Sequence, residues 1–199
     1  LEGGQFTLAL AQAPISDISQ LSYVCDLFSD DGGARDPFVF YDTTTAQWVM
    51  FYCKRIYENK SDIEGGIAYR VSNDLVNWSD FKGYVIRNLF YDDDIKDNVT
   101  VSLGNCESPQ LIKYENHYYL FVTQVGHKNY YRTKVWVSDN PYFFYSDKPL
   151  TTLYVHAPEI IQEGDNWYVS NCGQHQREFG EIGNGLRVPG VEIARLDWK

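Results

Sequence analysis

The sequence is poor in positive charge and has no basic run longer than Lys54-Arg55. It holds 17 Lys and Arg against 27 Asp and Glu, a net charge of -10. Such a surface repels a phosphate backbone, so nucleic acid is not an expected partner. No stretch approaches the ~20 apolar residues of a bilayer span, and the opening LEGGQFTLALAQAPI lacks the basic region and longer apolar core of a signal peptide. A membrane is therefore not expected as a partner. The compartment stays open, since a secreted or periplasmic protein would only need a leader that has been removed. Cysteine is scarce as well. Cys25, Cys53, Cys106 and Cys172 form no C-x-x-C pair, which argues against a zinc cluster. They read as buried thiols serving as small hydrophobes on strands, with disulfides only in an oxidising compartment. Leu-rich and Ala-rich heptads are missing too, while aromatics reach 16% with 16 Tyr and 5 Trp. That balance predicts an all-β chain. At 199 residues the chain suits one core, read as a single domain over 1–199.

A phrase present three times organises the rest. It reads RDPFVFYDTTTAQWVMFYC at 35–53, ESPQLIKYENHYYLFVT at 107–123 and HAPEIIQEGDNWYVSNC at 156–172. In each copy a proline (Pro37, Pro109, Pro158) opens an apolar strand, a polar turn follows, and an aromatic strand returns. The residues ahead of the prolines differ: Arg35-Asp36, Glu107-Ser108, His156-Ala157. An entering strand and loop occupy 1–34, and three units follow at 35–104, 105–155 and 156–199. In the first unit, strands are predicted at Pro37 to Tyr41, Trp48 to Cys53, Ile67 to Ser72 and Trp78 to Ile86. The second has them at Gln110 to Tyr114, Tyr118 to Gln124 and Thr133 to Val137, then an aromatic run at Tyr142 to Tyr145. Repeated four-stranded antiparallel meanders of this length predict blades of a β-propeller. About three blades are visible, where a propeller ring usually needs ~4 to 8. Further sequence or a second copy of the chain would complete the ring, so a homo-oligomer is one expectation.

The innermost strand of each blade borders the propeller axis. Residues entering those strands converge on one end of the channel, which gathers Asp36, Glu107 and His156 into one expected pocket. Two carboxylates across a sugar are what glycoside hydrolysis uses, one protonating the leaving oxygen and the other attacking or activating water. The phrases Arg35-Asp36-Pro37 and Cys106-Glu107-Ser108-Pro109 and the ending from Val191 to Trp198 resemble the five-bladed propeller glycosidases of families 32 and 43. The resemblance covers most of 35–199. It implies a hydrolase acting on a furanoside or pentoside, fructofuranosidase-like or arabinofuranosidase/xylosidase-like, with Glu107 as general acid/base. Under family 32 Asp36 would be the transition-state stabiliser that binds sugar hydroxyls, and under family 43 the general base. The sequence departs from family 32 in having no N-D-P-N nucleophile motif ahead of Asp36 and in placing its cysteine before the Glu.

Each residue has a plainer reading beside it. Arg35 and Asp36 would make a surface ion pair, Glu107 would cap a turn, and His156 would be a satisfied structural histidine instead of a hydroxyl-binding group. Glu159, one residue inside its strand, would face either the pocket or a neighbouring blade. Trp48, Trp167 and the Tyr130-Tyr131 pair would stack on sugars or simply pack. No cofactor and no metal ligand set are expected, apart from a structural calcium for which the acidic loop 92–97 is the candidate holder, without EF-hand spacing. The alternative to a hydrolase is a non-catalytic or degenerate carbohydrate-binding propeller, and a third reading is an oligomerisation scaffold. The sequons at Asn59, Asn77 and Asn98 matter only in a source that glycosylates.

Overall fold

Among the described residues, alternating apolar positions in thirteen strands build four antiparallel sheets stacked in chain order. The structure is a computed structural model and describes residues 6–30, 33–58, 62–87, 106–124, 132–172 and 191–198. Strands β1 (Thr7–Gln12) and β2 (Ser22–Ser29) pair as a two-stranded sheet. Strands β3 (Ala34–Asp42), β4 (Gln47–Glu58), β5 (Asp62–Ser72) and β6 (Gly83–Arg87) follow as a four-stranded meander. A second meander contains β7 (Cys106–Tyr114), β8 (His117–Gln124), β9 (Thr133–Ser138) and β10 (Thr151–Leu153). The last sheet has β11 (Ile160–Glu163), β12 (Asn166–Asn171) and β13 (Glu192–Leu196). The described residues contain no α-helix, as the composition predicts, and none of their helices is long and apolar enough to cross a membrane.

The period-2 alternation of the two central strands β4 and β8 fills an interface on both of their sides. Along β4, Val49, Phe51 and Cys53 face the second meander, while Met50 and Tyr52 face the β1–β2 sheet. Every one of the five is at most 3% exposed, so β4 is buried on both faces. Strand β8 repeats the device, with Leu120 and Val122 turned towards the first meander and Phe121 towards the β11–β13 sheet. Three apolar clusters thus separate four sheets, which is the face-to-face stacking of propeller blades. Close approach constrains one glycine in particular. A Cβ at Gly66 would lie 2.3 Å from the carbonyl oxygen of Ile86, so β6 packs against β5 only because nothing is there.

Side chains also join the blades. Asp30, just after β2, is buried under the Tyr52 hydroxyl, the Arg70 guanidinium at 2.5 Å and the Lys54 ammonium at 3.6 Å. Gln110 of β7 accepts from the Ile160 amide at 2.8 Å and donates to the Ile160 carbonyl at 3.3 Å, holding β11 beside β7 without a backbone ladder.

The aromatic runs depart from the strand expectation. Trp78 makes only an isolated bridge to Ser72, and strand β6 begins later, at Gly83. In the second meander the outer strand is Thr151–Leu153, and Tyr142 to Tyr145 form no strand. Tyr142 instead reaches back to Asp42 of the preceding blade, donating its hydroxyl at 2.5 Å, and the Phe144 amide donates to the Val85 carbonyl at 2.8 Å. The cysteines split as well. Cys53 and Cys106 are buried as expected, whereas Cys25 is partly exposed and Cys172, past the end of β12, is exposed.

Two stability predictions follow from these bridges. Replacing Gln110 by Met keeps the volume but leaves the Ile160 amide without its partner, so thermal unfolding should show a loss of about 1–3 kcal/mol. The Asp42 carboxyl tests the acid side. Burial would raise its pKa, but donation from the Tyr142 hydroxyl, the Thr44 amide and Thr45 lowers it overall. A depressed folded pKa gives stability that is present above the unfolded value near ~4 and disappears as pH falls through the folded one. Wild type should therefore exceed Tyr142→Phe at pH 7, and their midpoints should converge in acid.

Candidate active site

The proline frame brings a strained backbone to the same place in each blade. Asp36, Ser108 and Ala157, each directly before its proline, have φ of 54°, 50° and 46°. Left-handed backbone is costly for residues with a Cβ, on the order of 1–3 kcal/mol each, and persists only where neighbours hold it. In the first two blades the strain coincides with a register shift, between Arg35 and Phe38 and between Glu107 and Gln110. A bulge of this kind re-aims the side chains beside it.

The re-aimed groups meet across the blade boundary. Arg35 donates from Nη1 to Glu107 Oε1 at 2.7 Å and to Asp36 Oδ2 at 3.3 Å, and from Nη2 to the Cys106 carbonyl at 2.8 Å. The Ser108 amide donates to Asp36 Oδ2 at 3.3 Å. The three side chains are 20%, 31% and 17% exposed for Arg35, Asp36 and Glu107, so the cluster is mostly covered but still reachable from solvent. Burial works against the Arg35 charge, but Cys53, Glu107 and Asp36 outweigh it and hold the guanidinium pKa above its ordinary value. Because one nitrogen touches both carboxylates, their nearest oxygens are within about 6 Å, at the short end of the separations used by paired glycosidase carboxylates.

The frame assigns the positions more strictly than the expected trio did. Arg35, Glu107 and His156 are the equivalent residues, two before each proline, and Asp36 corresponds to Ser108 and Ala157. His156 is buried, its amide donating to Asn171 Oδ1 at 2.9 Å and its carbonyl accepting from Cys172 at 3.0 Å. The strained residue after it is held from the preceding blade. The Ala157 amide donates to Thr123 Oγ1 at 3.0 Å, and the Thr133 hydroxyl donates to the Val155 carbonyl at 2.8 Å. Thr123 is the register partner of Glu107, and both threonines are fully buried. Composition gave no signal for this pair, although its location directly across from Glu107 follows once the β7–β8 register is known.

The remaining candidates lie elsewhere. Trp48 pairs with Tyr41 at the turn end of β3 and β4, about 20 Å along the strand from Arg35 by strand rise. Trp167 pairs with Gln162 at the turn end of its hairpin, where it packs edge-on against Tyr114 and Trp198. The structure thus separates both tryptophans from the carboxylates and gives them packing partners. Glu159 is exposed, and its amide donates to Ser170 Oγ at 2.9 Å. The acidic loop 92–97, the Tyr130-Tyr131 pair, Asn59 and Asn98 lie outside the described residues. Among the described residues no group of three or more His, Cys, Asp or Glu is placed to hold a metal ion.

With this geometry in place, solved structures give the fold its relatives. An exo-1,5-α-L-arabinanase from a bovine ruminal metagenomic library aligns with 98% of this chain and 68% of its own, at 13% identity and a TM-score of 0.63. The fold is that of the five-bladed propeller glycosidases, present in part. An inulosucrase from Halalkalicoccus jeotgali bound to kestose matches 82% of this chain and 48% of its own, at 13% identity and a TM-score of 0.56. A family 43 β-xylosidase/α-arabinofuranosidase from a compost metagenome matches 82% and 55%, at 17% identity and a TM-score of 0.55. The chain spans about half the length of the last two propeller enzymes. No family model matches the sequence, and no curated protein is significantly similar to it.

Arg35 makes its contacts as a planar fork, which lysine cannot copy. Arg35→Lys should reach Glu107 or the Cys106 carbonyl but not both, and Arg35→Met neither. Thermal midpoints should fall in the order wild type, Lys, Met, with the Met variant losing about 1–3 kcal/mol. Equal midpoints would show that the fork carries no stability.

Proposed function

We propose that this chain carries part of the active site of a glycoside hydrolase acting on a furanoside or pentoside. The observation that supports the reading is the joining of Asp36 and Glu107 through one guanidinium at the strand entrances of neighbouring blades. Glu107 is the proton donor to the leaving oxygen of the glycosidic bond, and later the base that draws a proton from water. Asp36 is its partner, stabilising the positive charge that develops on the sugar ring or activating water on the opposite face. Arg35 fixes the distance between the two, so the second carboxylate stays in place while the first exchanges its proton.

The relatives in fold agree with this class, since an arabinanase, an inulosucrase and a xylosidase/arabinofuranosidase are among them. Family 32 relatives place the nucleophile in an earlier motif that this sequence does not contain. Under that alignment Asp36 acts as the stabiliser and another part of the assembled ring contributes the nucleophile. Under the family 43 alignment Asp36 is the general base, and the two carboxylates in hand suffice. His156 lies at the frame position of Glu107 and is proposed to reach a sugar hydroxyl, a role its burial permits only if substrate displaces its present cover.

The test is sugar release from fructosides, arabinofuranosides, xylosides and galactosides, run in parallel with Glu107→Gln and Asp36→Asn. Release by wild type should fall about 10²–10⁴-fold in the Glu107 variant, the range attached to a general acid/base. A family 43-type base at Asp36 predicts a comparable loss in Asp36→Asn. No release from any substrate by folded protein would contradict the family 43 reading, in which both carboxylates are in hand, and favour a carbohydrate-binding propeller.

A further inference from the structure

Directly behind the carboxylate pair, two thiols face each other across the boundary between the first two four-stranded blades. Cys53 on β4 and Cys106 at the start of β7 are 3% and 2% exposed, with sulfurs 3.9 Å apart. Both are tied to the Arg35 cluster: Cys53 is the register partner of Arg35, and the Cys106 carbonyl accepts from the Arg35 guanidinium. A disulfide needs sulfurs at ~2.05 Å, so closing the gap asks for less than about 2 Å of movement, shared between two side-chain torsions. The other two cysteines are on different sheets, Cys25 in β2 and Cys172 just past β12.

We propose that Cys53 and Cys106 form a disulfide that staples the first four-stranded blade to the second when the protein folds under oxidising conditions. The inference does not depend on any sugar chemistry. Glutathione disulfide is a sufficient oxidant. The thiolate of one cysteine attacks it, releasing one glutathione and leaving a mixed disulfide on the protein. The thiolate of the second cysteine then attacks the protein sulfur of that bond and expels the second glutathione. Two electrons pass to the oxidant, and the two thiol protons end on the two glutathiones.

Timing follows from burial. Removal from water, followed by the neighbouring Cys106 sulfur, pushes the Cys53 thiol well above its ordinary pKa. The folded dithiol is therefore a slow nucleophile, and the bond is made while the chain is still open. Closing a loop of this size restricts the unfolded chain, and the resulting cross-link ties β4, whose Cys53 pairs in register with Arg35 of β3, to β7, which bears Glu107.

The experiment refolds the reduced, denatured chain in a glutathione redox buffer and maps its peptides without reduction. One linked pair, Cys53 with Cys106, is expected, with two free thiols left and a thermal midpoint about 5–15 °C above that of the reduced protein. A chain carrying both Cys25→Ser and Cys172→Ser should form the same bond and show the same shift. Cys53→Ser and Cys106→Ala should each lose both, and having two variants guards against one of them failing to fold. Four free thiols after refolding, linkage through Cys25 or Cys172, or a cross-link that lowers the midpoint would overturn the proposal.

Discussion

Arg35 reaches from one blade to the carboxylate of the next, and much of the candidate site depends on that reach. An ion pair with both partners about one-fifth exposed is neither a screened surface contact nor a fully desolvated charge. Its worth lies in geometry more than in gross energy. The guanidinium satisfies Glu107, Asp36 and a backbone carbonyl together, so the start of β7 has one position in which all three are met. The left-handed residues before the prolines make the same demand from the backbone side, since each is strained and each of the later two has its amide held by the preceding blade. Asp36 does for Ser108 what Thr123 does for Ala157. A propeller whose innermost strands share no hydrogen-bond ladder needs such latches to keep its entrances aligned.

Much of this was legible in the sequence. The proline frame predicted three equivalent strand entrances, and the aromatic content with absent heptads predicted sheets alone. Of the expected trio Asp36, Glu107 and His156, the first two meet, joined through Arg35. Aromatic residues are poor strand signals where a distant partner competes for them. Trp78 and the run from Tyr142 to Tyr145 have strand-like composition, yet Tyr142 is drawn away by the Asp42 carboxylate and Phe144 by a backbone carbonyl of the neighbouring blade. Those contacts lie far apart in sequence, so no local pattern announces them. Where Trp48 and Trp167 would lie was not legible for a related reason. Alternation tells which face a residue takes, while its distance along the strand from the bulge decides whether it is near the site, and both tryptophans sit by the hairpin turns.

The frame also redistributes roles. Counting back from each proline makes Arg35, Glu107 and His156 equivalent, which puts a cation, an anion and a buried imidazole on one repeated scaffold position. Asp36 joins them from one residue further along because the positive φ of its backbone turns it to the same side. Buried polar groups that the sequence could not single out do the remaining alignment: Gln110 between β7 and β11, and the Thr123 and Thr133 hydroxyls beneath the His156 loop. Each is polar where an apolar residue would pack as well, and each is matched to backbone groups of the next blade.

The most direct measurement of this account is a double-mutant cycle on Arg35 and Glu107, following the stability of Arg35→Met, Glu107→Gln and the combined variant by denaturant unfolding. If the guanidinium and the carboxylate act as one latch, the double variant should lose less than the sum of the two single losses, with a coupling of about 1 kcal/mol or more. Additive losses would contradict the claim, showing that the two residues stabilise their blades independently and that the ion pair does not align the site.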